Sequence, residues 1–366
     1  MTRPSFAHID LAALRANYRL AVELSRASRA TARCVAVVKA NAYGHGAVEV
    51  ARALDDTAPA LAVSCCDEAL VLRQAGITSP ILLLEGLFSD DEIAMCAHHN
   101  FWPMLENPGQ VDAVVKSKPE KPLTIWLKVD TGMHRLGLLP HQFKEQYQRL
   151  LASDNVAAPV VVGSHFASAD ELDNPFTRTQ VDRLHDLVAP VGAPLSMANS
   201  PGLLAWPEAR ADWNRPGFML YGASPFDRPH AEADRLRPVM QFESRVISLR
   251  WLDPGETVGY GQTWKAGRRS LIATVPVGYG DGYPRTAGNG TPVLVKGARA
   301  LLAGRVSMDL ITVDVTDVAG IQPGAPVELW GASLSVNEVA RSAGTSAYEL
   351  LTRMPARLTR LYRGGA

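Results

Sequence analysis

A short apolar run that ends in a lysine constrains this chain more than any other feature. Val35 to Val38 are four small or β-branched apolar residues, a pattern typical of a strand buried on both faces. Lys39 follows directly, and Tyr43 comes soon after. Lysine is rarely buried, so one at the end of a core strand costs free energy. Where a lysine is desolvated, its pKa falls and its amine becomes a usable nucleophile or base. An isolated lysine of this kind is usually a surface residue, so the rest of the chain decides its role.

Strand-like runs alternate with helix-like runs over roughly the first 230 residues. After a helical pattern from Ile9 to about Leu24, eight strands are predicted: Cys34–Val38, Leu61–Ser64, Ile81–Leu84, Phe101–Leu105, Thr124–Val129, Val160–Ser164, Leu195–Met197 and Phe218–Tyr221. This number is expected of an α/β fold of the (β/α)8, or TIM-type, barrel class. A doubly wound open sheet would need a nucleotide loop after its first strand, and Ala-Asn-Ala-Tyr-Gly-His-Gly is no such loop.

Beyond about Arg237 the pattern changes to short runs of Val, Ile and Leu that Gly and Pro interrupt. Such a pattern predicts a mostly β C-terminal domain, with one clear helix at Val336–Ala343. We therefore divide the chain into a barrel, residues 1–233, and a β-strand-rich domain, residues 234–366.

The composition excludes several classes of protein. The 366 residues include 37 basic and 37 acidic side chains, so the net charge is zero and no nucleic-acid partner is expected. No apolar run is long enough for a membrane span, and the chain begins without an apolar signal core. The four cysteines lack Cys-x-x-Cys spacing, which fits reduced thiols. We expect a cytoplasmic protein.

The ends of the predicted strands locate the candidate site, because barrels of this kind carry their chemistry there. Their side chains are mostly cationic or carry a hydroxyl group, and Asp130 is the main carboxylate among them. The polar residues at these strand ends are Lys39, Tyr43, Lys128, Asp130, Arg135, His165, Asn199, Ser200, Arg215 and Tyr221. Such a rim suits an anionic ligand, such as a phosphate or a carboxylate.

Two features of this rim favour pyridoxal phosphate (PLP) as the cofactor. Ser200, Gly217 and Tyr221 follow strands seven and eight, where barrels commonly bind phosphate. A lysine that can form a Schiff base beside a phosphate site points to PLP. No Cys/His cluster has the spacing of a zinc site, so we predict no metal.

Six motifs in order give the chain a family resemblance. They are Val38-Lys-Ala-Asn-Ala-Tyr-Gly-His-Gly46, Lys128-Val-Asp-Thr-Gly-Met-His-Arg-Leu-Gly137, Arg215-Pro-Gly-Phe-Met-Leu-Tyr-Gly222, Val258-Gly-Tyr-Gly-Gln262, Gly278-Tyr-Gly-Asp-Gly-Tyr-Pro-Arg285 and Gly304-Arg-Val-Ser-Met-Asp309. From Ile9 to its C-terminus the chain resembles alanine racemase, a PLP-dependent family that interconverts L- and D-alanine. The resemblance implies a barrel followed by a β-domain, which agrees with the strand count.

The resemblance also implies a two-base mechanism. Lys39 would hold PLP as an internal aldimine, and in the external aldimine it would be the base on one face of the substrate. Tyr260 would be the base on the other face, because inversion requires a proton to return from the opposite side. A tyrosine with an ordinary pKa of about 10 needs a cationic neighbourhood near neutral pH. In the family His165 and Arg215 supply it, and Arg215 also faces the pyridine nitrogen.

The remaining roles follow from the same resemblance. Arg135 would contact the phenolic oxygen of PLP and the substrate carboxylate, and Lys128 is the position that many members carry as a carbamate (N6-carboxylysine). Further cofactor contacts are implied for Tyr43, Asn199, Ser200, Gly217, Phe218, Tyr221 and Tyr348. Met308, Asp309 and Tyr279 match residues that narrow the substrate entrance. Family members form head-to-tail homodimers, so each site would join one barrel rim with Tyr260 and Met308 of the partner subunit.

Several other functions share parts of this pattern. A PLP decarboxylase of ornithine or arginine would place a carboxylate where Arg215 stands and would carry a reactive cysteine in its second domain, whereas no cysteine here follows Cys96. A racemase of another small amino acid such as serine stays open. A non-catalytic PLP-binding protein is disfavoured by the second domain with its Gly-Tyr260-Gly. Biosynthetic and catabolic roles both stay open.

Overall fold

The N-terminal part of the protein is a closed barrel of parallel strands. The structure is a computed structural model, and it describes residues 3–365. After a first strand, β1 (Phe6–Asp10), the barrel strands follow one another around the barrel: β2 (Arg33–Val37), β3 (Ala60–Val63), β4 (Ile81–Leu83), β5 (Phe101–Leu105), β6 (Leu123–Lys128), β7 (Val156–Gly163), β8 (Leu195–Ser196) and β9 (Trp213–Asn214). The predicted (β/α)8 barrel is therefore confirmed.

Helices connect these strands and cover the outside of the barrel. Those of the barrel part are α1 (Leu11–Ser28), α2 (Lys39–Tyr43), α3 (Ala47–Leu54), α4 (Cys66–Gln74), α5 (Glu92–His99), α6 (Pro108–Lys116), α7 (Pro140–Leu151), α8 (Phe176–Val188) and α9 (Ser200–Ala205). The second part contains α10 (Val336–Ser342) and α11 (Ala347–Thr352). Within residues 3–365, no helix combines the length and the apolar character that crossing a bilayer requires.

Small and aromatic side chains together fill the interior of the barrel. Val35 and Val37 of β2 point into it, where they share a cluster with Trp126 and Trp213, whose rings lie 5.6 Å apart. The alternate residues of the same strand, such as Ala36, belong to the larger cluster that the outer helices cover. All four residues Val35 to Val38 are buried, as the apolar run predicted. The packed interior leaves the rim as the place for a ligand.

The C-terminal part is built on a nine-stranded sheet, and the predicted β-rich domain is confirmed. Its strands are β10 (Met240–Arg245), β11 (Ser248–Leu252), β14 (Ser270–Val275), β15 (Pro292–Val295), β16 (Ala298–Leu302), β17 (Ile311–Asp314), β18 (Pro326–Trp330) and β19 (Thr359–Arg363), together with β1. The spatial order is β11, β14, β17, β16, β15, β18, β10, β1 and β19. A separate hairpin pairs β12 (Thr257–Val258) with β13 (Trp264–Lys265).

The first strand of the chain lies in this second sheet. β1 runs antiparallel to β10 and parallel to β19, so it joins the two ends of the chain. It ends at Asp10, whose side chain accepts a hydrogen bond from the amide of Ala13 and caps α1. The helical pattern predicted from Ile9 therefore begins two residues later, at Leu11. The boundary between residues 233 and 234 stays a prediction.

Several elements differ from the sequence prediction. Phe218–Tyr221, predicted as the eighth strand, is a buried 3-10 helix, and the two-residue β9 closes the barrel by pairing with β2. A short apolar run alone does not distinguish a buried strand from a buried helix, which explains the error. The second part also has a further helix, α11, beyond the one predicted.

Candidate active site

The carboxyl ends of the barrel strands surround a cavity of about 470 Å³, a size typical of sites for small molecules. Many of the predicted site residues line it: Lys39, Tyr43, Lys128, Arg135, His165, Asn199, Ser200, Arg215, Gly217, Phe218 and Tyr348. The fold thus brings together side chains from one end of the barrel sequence to the other, and adds Tyr348 from α11 of the second part.

Lys39 stands at the end of β2, and the backbone after it is left-handed. Ala40, Asn41, Ala42 and Tyr43 have φ values of 52°, 55°, 52° and 49°. For an L-residue this conformation costs roughly 1–2 kcal/mol. The turn brings Lys39 and Tyr43, the first and last residues of α2, to the same cavity. A backbone held in so unfavourable a form is a common property of functional sites.

Arg215 is a buried cation with neutral partners. Its Nη1 donates to the carbonyl and hydroxyl oxygens of Ser196, at 2.9 and 2.6 Å. Its Nη2 donates to the carbonyl oxygen of Ser164 at 2.7 Å and more weakly to that of Met197 at 3.4 Å. No carboxylate among residues 3–365 forms a salt bridge with it. Burial lowers the pKa of Arg215 to about 10, so the guanidinium still carries its charge at neutral pH.

On another wall of the cavity, hydroxyl groups and backbone amides meet. Asn199 caps α9, because its Oδ1 accepts a hydrogen bond from the amide of Gly202 at 3.0 Å. The next residue, Ser200, accepts from the amides of Gly217 and Met219 at 3.0 and 3.1 Å. With two donors directed at its Oγ, the hydroxyl hydrogen of Ser200 is free to donate elsewhere.

Aromatic rings hold Tyr43 and Tyr348 at this wall. Tyr348 stacks on Phe218 with ring centroids 3.6 Å apart. Tyr221 does not line the cavity; it stacks behind Tyr43 at 4.8 Å, and its hydroxyl donates to the carbonyl oxygen of Val37. Burial raises the pKa of Tyr43 to about 12, so its hydroxyl remains a donor at neutral pH. Tyr221 therefore supports Tyr43, a cavity residue, from behind.

The positive charges at the cavity act on two further groups. Burial lowers the pKa of Lys128 to about 8; Arg215, Arg135 and Lys39 lower it too, while Glu106 acts in the opposite direction. Burial and the same cations hold the pKa of His165 well below its ordinary range. The imidazole is thus neutral at neutral pH. Arg215 thus carries the positive charge expected of it, and the role expected of His165 stays a prediction.

Apart from Tyr348, the predicted site residues of the second part do not line the cavity of their own chain. Tyr260, Met308 and Tyr279 are exposed, Tyr260 by 73%. Backbone hydrogen bonds join the loops of Tyr279 and Met308: the amide of Tyr279 donates to the carbonyl oxygen of Ser307 at 3.1 Å, and that of Gly280 donates to the carbonyl oxygen of Met308 at 2.9 Å. The loop of Tyr260 lies beside the same segment, since a Cβ added to Gly259 would lie 3.5 Å from the amide nitrogen of Arg305. We call Tyr260, Tyr279 and Met308 together the Tyr260 surface.

Asp309 is held by two arginines. Its Oδ1 accepts from Nη2 of Arg357 at 2.7 Å and from Nη1 of Arg3 at 3.4 Å. Both arginines also bond the buried carboxylate of Asp281, at 2.8 and 2.7 Å. This carboxylate accepts the amide of Gly278 as well, just before Tyr279. The network stabilises the loops that carry Tyr279 and Met308.

Comparison with known proteins gives the family. The alanine racemase N-terminal domain matches residues 9–225, and the alanine racemase C-terminal domain matches residues 239–362. The chain belongs to the alanine racemase family. An alanine racemase of Pseudomonas taetrolens is 52% identical over 356 residues, which cover 96% of this chain and 98% of the relative.

Other members of the alanine racemase family are similar over almost their whole length. A Pseudomonas putida protein named as a catabolic alanine racemase is 51% identical, over 96% of this chain and 98% of its own. The crystal structure of the biosynthetic alanine racemase from Pseudomonas aeruginosa has a TM-score of 0.94 at 45% identity, covering 99% of this chain and 100% of that one. Members named for both roles thus resemble this chain.

Sequence reasoning missed two glutamates in this family member. Glu85, just after β4, lines the cavity. Glu106, just after β5, neighbours Lys128, since Leu105 pairs with Leu127 one position earlier. Asp130, predicted as the main carboxylate, instead shapes its own loop by accepting the amides of Gly132 and His134. Both glutamates follow barrel strands, so the residues after β4 and β5 could have been predicted as site residues in the same way as Lys39.

The low pKa of Lys128 predicts a pH-dependent stability. Between pH 8 and 10.5 the unfolded chain holds a proton on Lys128 that the folded protein lacks, so stability rises with pH across this window. The measured quantity is the free energy of unfolding of the unmodified protein minus that of the Lys128→Met variant. We expect this difference to rise by on the order of 3 kcal/mol across the window. Urea unfolding in CO2-free buffer measures this difference. A difference that stays flat with pH contradicts a buried free amine at this position.

Proposed function

We propose that the protein interconverts L-alanine and D-alanine with PLP held at the mouth of the barrel. The observation that carries the proposal is the convergence of Lys39, Arg215 and a wall of hydroxyl and amide groups on one cavity. The relatives support the same activity, because proteins named alanine racemase match this chain over nearly its full length.

The residues around the cavity fit PLP. The hydroxyls of Tyr43, Ser200 and Tyr348 and the amides that follow Gly217 would bind the phosphate. Gly217 leaves room there, since an added Cβ would lie 2.8 Å from Oη of Tyr43. Arg215 would face the ring nitrogen with its Nε, because carbonyl and hydroxyl oxygens already occupy both Nη atoms. Since a guanidinium keeps its protons, that ring nitrogen would stay unprotonated.

The proposed reaction assigns a role to Lys39, Tyr260 and Arg135. When bound, PLP supplies an electron-accepting ring that stabilises negative charge on the substrate α-carbon. Lys39 would hold the cofactor, and its amine would accept or return the α-proton on one face of the substrate. The hydroxyl of Tyr260 would do so on the opposite face, because inversion needs a proton from each side. Arg135 would bind the substrate carboxylate by a charge-assisted hydrogen bond.

Lys128 would set the orientation of Arg135. As an ammonium, Lys128 repels the guanidinium groups nearby, which is one reason why its pKa falls to about 8. A neutral amine is the form that reacts with CO2, and the resulting carbamate would attract Arg135 instead. We propose that Lys128 is the site of this modification.

A second subunit would complete the site. Tyr260 does not line the cavity of its own chain, and its ring is largely exposed. We propose a homodimer in which the Tyr260 surface of one subunit closes the barrel mouth of the other, as in an isologous two-fold interface. The tyrosine hydroxyl would there meet the positive charge of Arg215.

Proton exchange tests the proposed activity directly. The PLP-loaded protein is incubated with L-alanine in D2O and followed by NMR and chiral analysis. We expect loss of the α-proton signal together with appearance of D-alanine. Exchange without inversion would remove Tyr260 from its role. No exchange with alanine contradicts the proposal, and parallel incubations with serine would then identify a racemase of a different small amino acid.

Mixed dimers test whether the site is shared. Lys39→Ala and Tyr260→Phe homodimers should each be nearly inactive, because every site lacks one base. Equal amounts of the two variants are unfolded and refolded together. Half of the resulting dimers should then be mixed dimers in which one of the two sites is complete, so activity should return to about a quarter of the unmodified level. In the control mixture, a Tyr147→Phe variant is refolded with the Lys39→Ala variant. Tyr147 is buried on α7, away from the cavity. No recovery in the first mixture contradicts a shared site.

A further inference from the structure

The left-handed turn between Lys39 and Tyr43 needs support from outside itself. Its four residues Ala40 to Tyr43 include no glycine, although every one has a positive φ. L-residues visit this conformation singly and seldom in a run, because Cβ then lies too close to the following carbonyl oxygen. The contacts that hold the turn therefore determine where the Lys39 amine and the Tyr43 hydroxyl lie.

Glu68 holds the beginning of the turn. It lies in the first turn of α4, and its two carboxylate oxygens accept from two different strand ends. Oε1 accepts the amide of Ala40 at 2.7 Å, and Oε2 accepts the amide of Ser64 at 2.8 Å. One carboxylate thus ties the residue after Lys39 to the end of β3. Hydrogen bonds from an amide to a charged acceptor are among the stronger ones in proteins.

The last strand of the chain holds the end of the turn. From β19, Nε of Arg360 donates to the carbonyl oxygen of Gly44 at 2.8 Å. The Tyr362 hydroxyl donates to the carbonyl oxygen of His45 at 3.1 Å. Helix α11 also packs closely against Gly44, because a Cβ added to Gly44 would lie 1.9 Å from the carbonyl oxygen of Leu351. Residues more than 300 positions away therefore fix the two carbonyl groups that follow Tyr43.

Contacts within the loop itself orient Tyr43. Nδ1 of His45 lies 3.1 and 2.8 Å from the carbonyl oxygens of Ala42 and Tyr43. The ring of His45 packs against Tyr221 at 4.6 Å, and Tyr221 stacks on Tyr43. If the turn relaxed to right-handed or extended geometry, Tyr43 would leave this stack and the cavity.

We propose that Glu68, Arg360 and Tyr362 are positioning residues of the active site, which hold the left-handed turn so that Lys39 and Tyr43 face one cavity. None of the three lines the cavity. The inference rests on the proposed function, in which Lys39 and Tyr43 bind the two ends of PLP. It assigns the C-terminal strand a task at the barrel rim of its own chain, separate from the Tyr260 surface.

Amide hydrogen exchange on the full-length protein, before and after addition of PLP, tests the proposal. In the Glu68→Gln variant one oxygen becomes an amide nitrogen, so either Ala40 or Ser64 loses its acceptor. We expect at least tenfold faster exchange at residues 40–46 and at least tenfold weaker PLP binding, measured by absorbance. Glu49→Gln is the matched control, because Glu49 on neighbouring α3 pairs with exposed Arg52. Tyr362→Phe should act in the same direction through the other end of the turn.

A glycine substitution separates positioning from general stability. Ala40 is exposed and has a φ of 52°, a conformation that glycine adopts without strain. Adding Ala40→Gly to Glu68→Gln should therefore restore much of the exchange protection and PLP affinity. Exchange in Glu68→Gln and Tyr362→Phe equal to that of Glu49→Gln overturns the proposal, and so does failure of the glycine to rescue. Exchange in the PLP-free protein does not depend on turnover, so absence of racemisation would overturn only the proposed function.

Discussion

The guanidinium of Arg215 lies buried at the mouth of the barrel, and oxygens of Ser164, Ser196 and Met197, all neutral, accept its hydrogen bonds. Burying a charge without an opposite charge costs several kcal/mol even in a relaxed protein. Lys39, Lys128 and Arg135 add further positive charge to the same cavity. The lowered pKa of Lys128 and the neutral His165 are consequences of this concentration of charge. An anionic ligand would offset this charge, as the proposed phosphate-bearing cofactor would.

The barrel and the second sheet depend on each other through the turn after Lys39. The turn begins at β2 of the barrel and is held at its end by Arg360 and Tyr362 of β19. β19 pairs with β1, the first strand of the chain, inside the second sheet. Besides Tyr348 in the cavity wall, the β-rich part therefore has two further connections to the chemistry. One connection supports Lys39 of its own chain, and the other presents Tyr260 to a second subunit in the proposed dimer.

The parts of the fold that sequence predicts well are those with a local pattern. Strands such as β2, β3 and β5 are short apolar runs buried on both faces, and their predicted bounds lie within a residue of the observed ones. β9 escaped prediction because a two-residue strand has no periodicity, while the apolar run Phe218–Tyr221 beside it looks like a strand. β1 escaped because long-range pairing with β10 and β19 defines it. At the site, the position of residues at the ends of predicted strands was enough to predict Lys39, Arg135 and Arg215. The left-handed backbone after Lys39 could not be predicted in this way. Its residues include no glycine, and residues that hold it, such as Arg360 and Tyr362, lie far along the chain.

The most direct measurement of the central claim is to locate the cofactor on the chain. Borohydride reduces the bond between PLP and a lysine to a stable secondary amine, and digestion with mass spectrometry then identifies the labelled residue. We expect one label per chain, at Lys39, and its loss in the Lys39→Ala variant. A label at Lys128 or at any other lysine, or no label in protein that has taken up PLP, would contradict it.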